Sequence, residues 1–139
     1  MFEFEIKGTT FRCKKMSGIV QVHVLRRAAP IAKPLFSAIR GGFSPETAGD
    51  VIAGLGDLDD KATEYILTKA LWVVEMKIEQ GWAKITNSPD TLSFMYDEVG
   101  EDAYMMLAIA SRVLGYNYET LFQEALSSLP EEARQGFQI

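Results

Sequence analysis

Histidine and cysteine, the residues that most often act as catalytic bases and nucleophiles, each occur once in this chain. His23 lies between two valines, and Cys13 ends a stretch in which apolar and polar residues alternate. A Ser-His-Asp or Cys-His arrangement would require His23 as its base. We interpret His23 instead as a structural or surface residue and Cys13 as a buried or idle thiol. A single cysteine also excludes an internal disulfide and leaves too few ligands for a cysteine-based zinc site.

Carboxylates are the second group of residues that could carry chemistry, and they occur in clusters. A calcium loop needs a regular Asp-x-Asp-x-Asp-Gly order with a distal glutamate, which no cluster has. The aspartates that follow Gly54 and Gly56 would repel a phosphate. The sequence therefore predicts no catalytic, cofactor or metal site, and no enzyme. The clusters fall at predicted helix starts, where the helix dipole attracts acids: Asp57/Asp59/Asp60, Glu101/Asp102 and Glu131/Glu132.

Charge is distributed unevenly along the chain, although the formal net charge is only −5. Residues 1–42 carry eight basic and two acidic side chains, whereas residues 43–139 carry six basic and seventeen acidic ones. A molecule with one basic and one acidic region can bind a copy of itself head to tail, and such contacts generate rings or filaments. The alternative is that both groups of charge only solvate the surface.

Candidate residues for protein binding come from these two regions and from one tryptophan. The arginines and aspartates among them would supply the opposite charges of a head-to-tail contact. Trp72 falls beside a polar stripe on a predicted helix, so we expect part of its indole to be exposed, where tryptophan is a frequent hot-spot residue. The alternative is that Trp72 covers the N-terminal hairpin. The candidates are Arg26, Arg27, Asp57, Asp59, Asp60 and Trp72.

The elements that position these residues are predicted to be mainly helical. Residues 2–13 alternate apolar and polar side chains on both sides of a glycine, which predicts a β-hairpin with one apolar face. Residues 17–29 combine a strand-like Val-x-Val-x-Val pattern with a serine cap and a closing proline, and we favour a helix with Arg26 and Arg27 in its last turn. Residues 59–81 have apolar positions at helical spacing, a capping aspartate and a closing glycine, which predict one long central helix.

The rest of the chain supplies connectors and further helices. Two prolines make residues 31–39 a short helical or irregular segment, and a capping serine before Pro45 predicts a short helix that ends at the glycines 54 and 56. Further predicted elements are an extended stretch at 82–85 and two helices at 103–114 and 118–129, separated by Gly115.

Composition and pattern together predict the fold class. A chain of 139 residues with 47% hydrophobic content suits one domain with a real core. We expect a mainly α fold: a single helical domain with an N-terminal β-hairpin packed on it. Residues 1–15 would form the hairpin, 16–129 the helical body and 130–139 a loose tail.

Hydrophobic runs and net charge also give expectations for the location of the protein and for nucleic-acid binding. The chain has no run of ~20 apolar residues and no leader, so we expect a soluble intracellular protein with no membrane partner. The negative net charge argues against nucleic-acid binding, as does the placing of the N-terminal aromatic residues on the apolar face of the hairpin.

Three stretches resemble one protein family. The FEFEIKGTTF hairpin, the segment at 16–30 with its HVLRRAAP run, and the MKIEQGW end of the predicted long helix are similar to tail assembly chaperones of long-tailed bacteriophages. The resemblance implies a small, mostly α-helical, non-enzymatic protein that acts in the host cytoplasm and is absent from the mature virion. It implies two partners, the tape measure protein and the tail-tube protein, and self-association in spirals. It also implies a second, longer product made by ribosomal frameshifting, and it transfers no site residue.

We therefore predict a self-associating tail assembly chaperone. Copies would associate head to tail, and their exposed apolar groups would hold an aggregation-prone helical partner. The alternative is a small protein-binding adaptor or regulator of phage or bacterial origin that works as a monomer or closed dimer.

Overall fold

The computed structural model describes residues 1–31, 33 and 45–128. The predicted irregular segment at 31–39 falls almost entirely outside the described residues, as do the capping Ser44 and the tail at 130–139. The elements are strands β1 (Phe2–Ile6) and β2 (Thr9–Cys13), helix α1 (Gly18–Arg27), a 3-10 turn (Ala29–Ile31), helices α2 (Pro45–Leu55) and α3 (Asp60–Trp72), strands β3 (Val74–Ile78) and β4 (Gly81–Lys84), and helices α4 (Asp97–Gly100) and α5 (Ala103–Ser128).

The four strands form one antiparallel sheet in the order β1-β2-β3-β4. Lys7 and Gly8 form the two-residue turn between β1 and β2, and both have positive φ angles, of 51° and 81°. Glycine is favoured in such a turn because it adopts the left-handed backbone without a Cβ clash. The predicted hairpin is confirmed, and its Phe4, Phe11 and Cys13 side chains are buried.

The predicted central helix at 59–81 is wrong in its second half. Helix α3 ends at Trp72, and the chain continues into β3. Val74 and Met76 are buried while Lys77 is exposed, and this period of two suits a half-buried strand. An isolated two-stranded hairpin is marginal in water, and β3 stabilises the first hairpin by pairing along β2, with Phe11 opposite Met76. This tertiary pairing outweighs the helical spacing of the same residues.

The second hairpin, β3 and β4, changes the fold class. A two-residue turn at Glu79 and Gln80 joins its strands, with Ile78 opposite Gly81. Strand β4 confirms the extended stretch predicted at 82–85. The expected mainly α fold with a lone hairpin is wrong, because the chain is a mixed α/β fold with a four-stranded antiparallel sheet.

Helices cover one face of this sheet. Helix α3 packs against both α1 and α5, and α5 also contacts β1. Phe2 of β1 stacks on Tyr116 of α5 and on Phe4, with ring centres 5.4 Å and 5.6 Å apart, and Phe4 stacks on Phe11 at 5.7 Å. Stacked rings add specific contacts to the burial of their apolar surface. The sheet and the helices therefore share one hydrophobic core.

The predicted starts of three helices are confirmed. Ser17 caps α1 by accepting a 3.4 Å hydrogen bond from the backbone N–H of Val20, which decides the strand-or-helix conflict at 17–29 in favour of the helix. Asp59 caps α3 by accepting a 2.7 Å bond from the backbone N–H of Ala62. Helix α2 begins at Pro45, where the missing N–H of proline costs nothing.

The predicted break at Gly115 is wrong, because α5 passes through it as one helix of 26 residues. A glycine costs a helix interior about 1 kcal/mol relative to alanine, and neighbouring contacts outweigh this. Asn117 is buried, and its Nδ2 donates a 2.8 Å bond to the carbonyl oxygen of Val113. Its Oδ1 accepts a 2.7 Å bond from the backbone N–H of Met16. Asn117 thus fixes the chain after β2 to the middle of α5.

Candidate protein-binding surface

The face of the sheet away from the helices, here called the outer face, carries a row of charged side chains across all four strands. Glu3 lies opposite Arg12, and Arg12 lies opposite Glu75. Glu75 lies opposite Lys84, so the charges alternate in sign from β1 to β4. The Arg12 Nε donates a 3.0 Å hydrogen bond to Glu75 Oε1. Opposite charges on neighbouring strands stabilise the pairing. We call these four residues the charged row.

Both tryptophans of the chain lie against cations of the charged row. The guanidinium carbon of Arg12 lies 4.4 Å from the ring centre of Trp82, and Lys84 Nζ lies 3.9 Å from the ring centre of Trp72. Both indoles are half-buried. A cation at this distance over the face of an aromatic ring is attracted to it. Trp82 on the outer face and Trp72 at the end of α3 are therefore two partly exposed aromatic residues next to the charged row.

Lys84 connects β4 to the end of α3. Its Nζ donates a 2.6 Å hydrogen bond to the backbone oxygen of Trp72, the last residue of that helix. The final carbonyls of a helix have no partner within it and carry partial negative charge, so an ammonium group suits this position. Burial lowers the pKa of Lys84 and nearby Lys14 lowers it further, while the Glu75 carboxylate opposes both effects.

Aromatic rings and arginine held on a rigid sheet suit the binding of a protein. Tryptophan and arginine are enriched among the residues that contribute most to protein interfaces, because they bury a large area and lose little flexibility. Among the described residues no group of three His, Cys, Asp or Glu side chains could hold a metal ion.

The two residues considered for catalysis lie elsewhere. Cys13 is buried on the inner face of β2, and this burial raises the pKa of its thiol to about 11. The thiol is protonated at neutral pH and is a poor nucleophile, which confirms its interpretation as a buried thiol. His23 lies in α1, where its carbonyl oxygen accepts a 3.4 Å bond from Arg27 Nη1.

An apolar groove lies between α2, α3 and α5. Its volume is about 30 Å³, whereas small-molecule sites usually occupy several hundred Å³, so this groove does not suit a metabolite. The groove is lined by side chains that include Ile31, Val51, Leu55, Ile66, Leu67 and Leu107.

The structure places the predicted binding residues in three separate regions. Trp72, the last residue of α3, lies beside Lys84 at the end of the charged row. Arg26 and Arg27 lie at the end of α1, where the Arg27 guanidinium carbon is 3.9 Å from the ring centre of Tyr65. Asp57, Asp59 and Asp60 are exposed at the start of α3. Within the described part of the chain no ion pair joins these arginines to these aspartates.

Sequence reasoning missed most of the outer face. Arg12, Glu75, Trp82 and Lys84 come from three strands and meet only through strand pairing. The available signal was the period-two alternation of residues 74–78, followed by an extended stretch that contains Trp82 and Lys84. A helix predicted over residues 74–78 leaves out β3, the strand that pairs with both β2 and β4 and so brings these residues together.

A contact surface of this kind is typical of small proteins that bind other proteins. Residues 7–130 match the family described as "Phage tail assembly chaperone protein, TAC". Because this match spans most of the sequence, the chain belongs to the phage tail assembly chaperone family, and the resemblance drawn from its sequence is confirmed. No curated protein and no solved structure matches the chain. Among the described helices, none has the length and apolar character needed to cross a membrane.

Proposed function

We propose that this chain binds the tape measure protein and recruits tail-tube subunits to it during tail assembly, without catalysing a reaction. Membership of the tail assembly chaperone family supports the role in tail assembly. The binding step is supported by the contacts of Trp82 with Arg12 and of Trp72 with Lys84, two cations of the charged row. The process takes place in the cytoplasm of the bacterial host, and the chaperone leaves before the virion is mature.

Binding would use the outer face as a preformed platform. The two indoles cover apolar side chains of an aggregation-prone helical partner, and the charged row contacts its polar side chains. Because Arg12 and Glu75 already pair with each other, covering them leaves no isolated charge without a partner. Affinity then comes mainly from the aromatic rings.

Self-association is the second part of the proposal. A partner longer than one copy can cover needs several copies bound along it. Copies that touch each other as well as the partner bind with a higher effective concentration than separate molecules. The role of each copy is to keep a stretch of the partner soluble until tube subunits replace it.

The test is capture from cells that produce the phage. The tagged full chain should recover the tape measure and tail-tube proteins together, and a variant with Trp72→Ala and Trp82→Ala should recover much less of both. Ile52→Ala is the matched control, because Ile52 is an exposed apolar residue of α2, away from the outer face. Recovery of a regulatory protein in place of the tail proteins would contradict the proposal and support the adaptor alternative.

A further inference from the structure

The sheet has two open edges. Among the described residues β1 and β4 each pair with one neighbouring strand only. Beyond β4 the edge is closed, because Thr86 bridges to Phe94 and the backbone N–H of Met95 donates a 2.9 Å bond to the carbonyl oxygen of Ile85. The open part of that edge is therefore Gly81–Lys84, a length of four residues. Unpaired backbone groups on such an edge can pair with a strand from another chain.

The direction of the strands allows one copy to continue the sheet of another. The four strands alternate in direction, so β1 and β4 run antiparallel to each other. Strand β1 of a second copy in the same orientation would therefore add to β4 as one more antiparallel strand. Because the number of strands is even, the first and last strands run in opposite directions. A second copy can therefore add its β1 to β4 while keeping the same orientation as the first copy.

In this arrangement, opposed side chains of β1 and β4 also point to the same side of the sheet. When Glu3 of one copy lies opposite Lys84 of the next, Phe4 lies opposite Ala83. Phe4 is buried on the helix side, and Ala83 pairs with Met76, which is buried on the same side. A shift of one residue would place Phe4 against an outward residue and lose this agreement.

Charge favours this same register. The charged row reads negative, positive, negative, positive from Glu3 to Lys84. Glu3 of a second copy beside Lys84 continues the alternation across the junction, and opposite charges in opposed positions stabilise paired strands. A closed dimer through two β1 strands centred on Phe4 would instead place Glu3 opposite Glu5 of the other copy, where like charges repel.

We propose that copies of this chain associate edge to edge, with β1 of one copy pairing with β4 of the next so that Glu3 lies opposite Lys84. The contact uses two different surfaces, so it does not close on itself as a dimer does. Because neighbouring strands in a sheet are rotated by roughly 20–25°, repeated addition gives a spiral array. This inference rests on the self-association proposed above and identifies the surface that performs it.

The test measures association of the purified full chain by sedimentation over a range of concentrations. Glu3→Lys alone and Lys84→Glu alone should each weaken association by about tenfold, because each places like charges across the junction. An equal mixture of the two variants should restore it, since Lys at position 3 of one variant then meets Glu at position 84 of the other. Glu64→Lys and Lys61→Glu are matched controls on the exposed side of α3 and should associate like the unchanged chain.

Amide hydrogen exchange of the unchanged chain provides a second test that needs no folded variant. Raising the concentration should slow exchange in β1 and β4 together and leave the already paired β2 and β3 unchanged. A mixture that fails to associate would overturn the proposal. So would a Glu3→Lys chain that associates normally, which would indicate a closed contact between two β4 strands.

Failure of this inference can be separated from failure of the proposed function. A chain that stays monomeric at every concentration but still captures the tail proteins refutes the edge contact and leaves the binding role intact. A chain that forms the array but captures neither tail protein refutes the binding role alone.

Discussion

Lys84 holds Trp72 in two ways at once, by a 2.6 Å hydrogen bond to its backbone oxygen and by a contact of 3.9 Å from Nζ to its ring centre. The same side chain ends the charged row on β4. One residue therefore joins the last turn of α3 to the edge of the sheet and contacts one of the two half-buried indoles. The charge of Lys84 contributes to stability as well as to the surface.

Replacing Lys84 with methionine keeps most of the aliphatic stem and removes the charge. We expect the free energy of unfolding to fall by about 1 kcal/mol, because the carbonyl of Trp72 loses its partner and the ring loses its cation. Urea denaturation measures this change. Lys61→Met removes a charge from an exposed position of α3 and serves as control. Equal stability of the two variants would mean that the contact with Trp72 contributes nothing.

Trp82→Ala removes the ring that Arg12 covers. If the outer face binds the tape measure protein, this truncation should cost about 2 kcal/mol of binding, or roughly thirtyfold in Kd, as for a central aromatic residue of an interface. Titration calorimetry with a purified tape measure fragment gives the Kd, and circular dichroism checks the fold. Ile52→Ala should bind like the unchanged chain. Unaltered affinity of Trp82→Ala would place the interface on another surface.

Asn117→Leu keeps the size of a buried side chain and removes its hydrogen bonds. The backbone N–H of Met16 is then left buried without its partner, which should lower the free energy of unfolding by about 1–3 kcal/mol. Thr120→Leu, at an exposed position of the same helix, should change it little. Thermal unfolding followed by circular dichroism compares the two. A small effect of Asn117→Leu would show that water replaces the lost partner.

Cys13 gives the stability a dependence on alkaline pH. Burial raises the pKa of the thiol from 9.0 to about 11, so the folded state holds the proton more tightly than the unfolded state. The resulting stabilisation is fully present below pH 9 and is lost as the pH rises from 9 towards 11. The loss should reach about 1 kcal/mol at pH 10.

Cys13→Ala isolates this contribution from the other groups that titrate in the same range. The variant is less stable overall, but its free energy of unfolding should fall less between pH 8 and pH 10 than that of the unchanged chain. Parallel pH curves for the two proteins would contradict the raised thiol pKa.

Local signals were enough for some elements of the fold and not for others. The turn at Lys7 and Gly8 and the cap at Ser17 depend on neighbouring residues only, and both were predicted. The stretch at 73–78 satisfies two patterns, because Val73, Val74 and Ile78 fit a helical arc while Val74, Met76 and Ile78 fit one side of a strand. The choice depends on β2, about sixty residues earlier in the chain, and no local rule contains that information.

The candidate surface shows the same limit. The helical pattern predicts a partly exposed Trp72, and Trp72 is half-buried at the end of α3. Its neighbour Lys84 and the pair of Arg12 and Trp82 cannot be predicted from local patterns, since their proximity follows from pairing between strands. The head-to-tail contact through Arg26, Arg27, Asp59 and Asp60 remains a proposal, and the sheet edge offers an alternative to it.

The two indoles beside the charged row are the chain's full complement of tryptophan, so its tryptophan fluorescence originates there alone. Emission excited at the red edge of the indole band is then a built-in reporter for that side of the molecule, with no dye attached. A blue shift on mixing with a ligand would record loss of water around these rings.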